Sequence, residues 1–180
     1  MRKLSLWTLA LPLAAFVAAS PKLAAGDVPD SDHVTKLLSE AKTMAFQLKE
    51  DAVMMTGFTH MNLGWESHAM AINQVRNHVN EMGKQAAKLK DARAEASPWQ
   101  KSAIDRIGPY LDELEGYTTA VIERVNKQPK LLTTAEYKDF LEANADYSSD
   151  LSTMISQFVD YGRTKDRLQR LTDKLELAKP

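Results

Sequence analysis

Apolar side chains recur at alternating spacings of three and four through most of this chain, and no stretch shows the every-second-residue pattern of a strand. From residue 31 they fall at Val34, Leu37, Leu38, Ala41, Met44, Ala45, Leu48, Ala52 and Met55, which lines one side of a helix over about residues 31–56. Asp30 or Ser31 can cap its start. A second stripe, Trp65, His68, Ile72, Val75, Val79, Met82, Ala86 and Leu89, predicts a helix over 65–95 with Trp65 and His68 turned inward. It stops before SPWQ. There Ser97 as cap, Pro98 in the first helical position and Gln100 three beyond the cap form a capping box.

The third helix, 98–127, presents Ile104, Ile107, Leu111, Leu114, Thr118, Val121 and Val125, and Pro129 follows its end. Pro109 after Gly108 removes one backbone hydrogen bond at a cost of about 3 kcal/mol, yet the apolar register continues past it, which predicts a kink within one element. Thr133 and Glu136 make a second capping box. It opens a helix over 134–176 carrying Tyr137, Leu141, Tyr147, Leu151, Met154, Phe158, Tyr161, Leu168, Leu171 and Leu175.

Four such segments with short connections predict an all-α fold, an antiparallel up-down-up-down four-helix bundle with a long C-terminal helix. The competing arrangement is a single rod, because the apolar phase barely slips from Met55 through Phe58 and Met61 to His68. Unbroken, helices one and two would span roughly 97 Å at about 1.5 Å per residue. Gly57 and Gly64 favour a turn, each lowering helix stability by ~1 kcal/mol relative to alanine.

Ahead of the helices the pattern changes. MRK followed by the apolar run LSLWTLALPLAAFVAA, residues 4–19, reads as a secretory signal peptide within residues 1–25, cleaved after Ala19 or Ala25. The run is short for a permanent span, which takes about 20 apolar residues, and no later window is long enough. The expected product is one bundle domain over 26–180 without a transmembrane helix, periplasmic or secreted.

Composition narrows the chemistry. With no cysteine, a lipoprotein anchor, a thioether-attached haem, a thiolate zinc site and a disulfide framework are all excluded. Without Arg2 and Lys3, 21 basic residues face 24 acidic ones, a net charge of −3; nucleic acid is therefore not expected as a partner.

Candidate chemistry gathers in GFTHMNLGWESHAMAINQVRNH, residues 57–78, which holds three of the four histidines. An inward His68 needs a polar partner, since an unsatisfied buried polar group costs about 1–3 kcal/mol. One reading is a hydrogen bond to Tyr137. The other is cofactor binding by His68 with Met55 and Tyr137, or a metal held by His60, His68 and Met61, with haem b or copper as the group, because imidazole and thioether suit both. His78 is too far along its helix to join His68, and His33 belongs to the first helical turn. Met44, Met55 and Met82 fall on the stripes; Met54, Met61 and Met70 do not. Paired Glu-x-x-His, H-E-x-x-H and G-x-S-x-G patterns are missing, so no catalytic residues are assigned.

Near the C-terminus Arg163, Arg167, Arg170 and Lys174 form a stripe beside Leu168, Leu171 and Leu175. It reads as a solvated flank or as an interaction surface for an anionic partner or a membrane. The fourth helix exceeds its neighbours by about a dozen residues, ~18 Å. Its extra leucines are expected to be covered by the leader, by a bend at Gly162, or by a homodimer through this helix.

Through WESHAMAINQVRNHVNEMG, SPWQKSAIDRI and FVDYG, the chain resembles uncharacterised exported helical-bundle proteins of bacteria, a resemblance that implies no activity. In size and compartment it is also similar to soluble haem-binding four-helix bundles, although Met55 and His68 would sit at one hairpin, awkward for opposite faces of a haem. The resulting expectation is a non-catalytic exported bundle acting by contact with an unidentified protein, as an envelope interaction, sensing or chaperone-like module. The alternative is a haem- or copper-binding bundle.

Overall fold

The computed structural model describes residues 28–61, 63–127 and 132–176. Four helices carry it: α1 (Asp32–Thr56), α2 (Trp65–Asp91), α3 (Pro98–Lys127) and α4 (Ala135–Lys174), with 3-10 turns at Gly57–His60 and Ala92–Glu95. The expected leader, its cleavage after Ala19 or Ala25, and Pro129 lie outside the described residues. Both α1 and α3 pack against α2 and α4. His68 at the start of α2 meets Tyr137 at the start of α4. At the other end Asp30, just ahead of α1, meets Trp99 at the start of α3 and Lys165 late in α4. Neighbouring helices therefore run in opposite directions around an all-α four-helix bundle.

The stripes form its core. Val34, Leu38, Ala41, Ala45 and Leu48 of α1 are fully buried, and they meet Ile72, Met82 and Leu89 of α2, Ile107, Leu114 and Val121 of α3, and Leu141, Leu151 and Ile155 of α4. Each such aliphatic side chain contributes roughly 1.5–3 kcal/mol on burial. Polar groups inside the core are mostly paired within it. Thr118 donates to Asn144 Oδ1 at 2.7 Å, and Asn144 Nδ2 donates to the Phe140 carbonyl at 2.9 Å. Gln85 Nε2 donates to the Leu37 carbonyl at 2.9 Å, while its Oε1 has no partner among the described residues.

The helix starts differ in detail from the expected caps. Ser31 caps α1 by accepting from the Val34 N–H at 3.2 Å. At α3 only half of the expected box forms: the Ser97 N–H donates to Gln100 Oε1 at 2.9 Å, whereas the Ser97 hydroxyl has no hydrogen-bond partner among the described residues. α4 is capped by Thr134, whose hydroxyl accepts from the Tyr137 N–H, instead of by Thr133. Glu136, assigned to that box, pairs with Arg124 of α3. α3 continues through Pro109 as one element.

Two expectations about the stripes need correction. Trp65 is 48 % exposed, because as the first residue of α2 it stands at the edge of the bundle, one turn before the buried His68. Likewise α4 does not break at Gly162; the helix runs on to Lys174 and its last leucines stay exposed. The reason for glycine there is contact. A Cβ at Gly162 would lie 2.7 Å from the Trp99 ring, too close for any other residue without a shift.

Among the described residues no helix is long and apolar enough to cross a membrane.

Candidate functional site

The α1–α2 connection is a turn, so the rod alternative is not realised. Its described residues keep right-handed or extended backbone. Gly57 continues the right-handed region, Met61 switches to extended (φ −109°, ψ 147°), and Gly64 remains extended (φ −68°, ψ 159°) as it leads into α2. This geometry brings Phe58 over the first turn of α2, where its ring meets the His68 imidazole edge-on at 5.5 Å between centroids.

Beneath Phe58, His68 is 3 % exposed and Tyr137 is fully buried. Their Nδ1 and hydroxyl oxygen lie 2.8 Å apart. Burial disfavours the imidazolium and holds His68 below the usual histidine range, while the same desolvation pushes the Tyr137 hydroxyl far above the ordinary tyrosine value. Both groups are therefore neutral at pH 7. A neutral imidazole and a protonated phenol exchange one hydrogen bond inside the bundle, satisfying both. The pair fastens the start of α2 to the start of α4.

The other candidate ligands are placed differently. Met55 is buried in the α1 stripe, whereas Met61 is 59 % exposed and His60 is exposed in the turn. His60 faces a shallow groove of about 590 Å³ between the end of α1 and α4, with Thr56, Lys138, Glu142 and Asp146 on its walls. Among the described residues, no three histidine or acidic side chains converge as a cation site. His33 contacts Glu95 at 2.7 Å, and His78 contacts Asp51 of α1 at 3.0 Å; both tie helices together. Comparison with models of protein families, with curated proteins and with solved structures returns no match.

At the opposite end is a cluster that the stripes did not reveal. Asp30 accepts from the Trp99 indole N–H at 2.7 Å and from Lys165 Nζ at 3.0 Å, and Tyr161 packs edge-on against Trp99 at 5.7 Å. Burial alone would raise the Asp30 carboxyl; Lys165 and the Trp99 indole overcome it and hold the group below the ordinary aspartate value. The sequence offered only an Asp before α1, read as a possible cap, and a Trp just inside α3.

Beyond this cluster the basic stripe lies in solvent. Arg163 pairs with Asp160 at 3.7 Å and Arg170 with Asp166 at 2.7 Å. Arg167 and Lys174 make no ion pair among the described residues.

Proposed function

We propose that this chain is an exported, non-catalytic helical bundle that works by contact with another protein, as an envelope interaction, sensing or chaperone-like module. The observation that carries the reading is a group of large apolar side chains left in solvent where α1 turns into α2. Met54, Met61, Leu63 and Trp65 are exposed there, next to the groove that His60 lines. Flexible thioethers and an amphipathic indole suit a surface that adapts to a partner. The interior supports the same reading, since the inward-facing His68 is already engaged by Tyr137. Export rests on the MRK start and the apolar run at residues 4–19.

A photo-cross-linking residue placed at 61 or 65 in the producing cells is expected to give one discrete protein adduct, and the same residue at exposed Asn73 none. N-terminal sequencing of the recovered protein is expected to begin after Ala19 or Ala25. Adducts that are absent, or equal at all three positions, overturn the contact reading. A haem absorption band, or one copper per chain in protein purified from its own envelope, would replace it with cofactor binding at His68.

A further inference from the structure

We propose that the overhanging end of α4 lies on an anionic lipid surface. The bundle's last grips on this helix are Trp99 against Gly162 and Asp30 on Lys165. From Asp166 to Lys174 every residue except Thr172 is exposed, a projection of roughly 14 Å at about 1.5 Å per residue. Leu168 is 63 % and Leu175 62 % exposed, and Leu171 and Tyr161 are exposed beside them.

The order of charges around this segment selects its partner. At about 100° per residue, Tyr161, Leu168, Leu171 and Leu175 share one narrow sector, with Lys165 and Arg167 roughly 80° to either side of its centre. Lys174, Arg163 and Arg170 follow, and Asp166 and Asp173 stand on the far side. The Arg167 flank of the leucine row is thus basic along the overhang and is continued by Lys174, while on the other flank Lys165 is held at the base by Asp30. A second copy pairing antiparallel through the same row would set Arg167 and Lys174 against their own counterparts, the like-charge arrangement that flanking positions select against. An anionic bilayer matches every part: leucines enter the headgroup–acyl boundary, basic side chains reach outward to lipid phosphates, and acidic ones face water.

Placement favours lipid over an acidic protein helix. The apolar run of residues 4–19 is joined to the bundle at Asp30, beside this same overhang. Residues 20–27 can extend at most roughly 28 Å, so until the leader is cleaved it holds the overhang within reach of the membrane surface. The surface lies at the end remote from Met61 and Trp65, so this proposal stands independently of the contact reading.

The test is co-sedimentation of the purified chain beginning at Gly26 with vesicles of phosphatidylglycerol and phosphatidylethanolamine, or of phosphatidylcholine alone. Binding to the first that weakens with salt, and little to the second, is expected. It should fall about tenfold or more in Arg167→Glu/Lys174→Glu and in Leu168→Ser/Leu171→Ser/Leu175→Ser, with thermal unfolding unchanged because these side chains leave the bundle. Equal binding to phosphatidylcholine, no binding to either, or full binding by either variant overturns the proposal. So does a dimer that the serine variant dissolves while no vesicles are bound, which would assign the leucines to a second copy.

Discussion

Gln100 and Ser31 face each other along an amide edge: the Ser31 N–H donates to Gln100 Oε1 at 3.0 Å, and Gln100 Nε2 donates back to the Ser31 carbonyl at 2.9 Å. The same side chain accepts from the Ser97 N–H and donates to Thr35 Oγ1. One fully buried glutamine therefore terminates α1 and α3 together. Gln100→Ala would strand several buried polar groups at about 1–3 kcal/mol each, so a loss of roughly 3 kcal/mol is expected in urea unfolding. Gln100→Glu keeps the acceptor but loses both donated bonds and should fall between the two.

The His68–Tyr137 pair sets a pH dependence. Because burial depresses the His68 value in the fold, the unfolded chain binds a proton that the fold refuses once the pH drops below about 6.5, the ordinary histidine value. Stability should be insensitive to this group above that pH and should decline below it, until the folded-state value is reached. Comparing unfolding free energies at pH 7.5 and 5.5 for the parent and His68→Phe checks the sign; a parent that loses no more than the variant contradicts it.

Glycines at different positions should respond oppositely to alanine. Gly83 and Gly116 have open space where a Cβ would go, and replacement there is expected to stabilise by about 0.5–1 kcal/mol. Gly162→Ala forces the new methyl into Trp99, with an expected loss of about 1–3 kcal/mol. Thermal unfolding of the three single variants gives the answer directly.

Thr118 and Asn144 form the buried polar contact between α3 and α4. Thr118→Val alone leaves the Asn144 oxygen without its donor and should cost about 1–2 kcal/mol. Joined with Asn144→Leu, most of that loss should return, because both polar groups then disappear together. A double-mutant cycle measures this coupling.

Four helices and their inward faces were legible in the sequence because period and burial are two views of one constraint, as Val34 through Met55 show along α1. Trp65 and Leu168 mark where that logic ends. A stripe reports the face a helix would bury, whereas burial needs a neighbour at the same height, and neighbours stop where the shorter helices stop. The Tyr137 partner of His68 was readable as an alternative, since a buried imidazole demands a hydrogen bond and few polar residues shared that end. The fastening of Asp30 by Trp99 and Lys165 was not. It joins residues 69 and 135 positions apart, and no periodicity encodes which distant charge meets which indole.

That fastening also decides how the molecule bears load. Tension applied to the polypeptide through Val28 reaches Asp30 before it reaches the first turn of α1. There it is divided among α1, α3 and α4, so the barrel resists being peeled open one rod at a time.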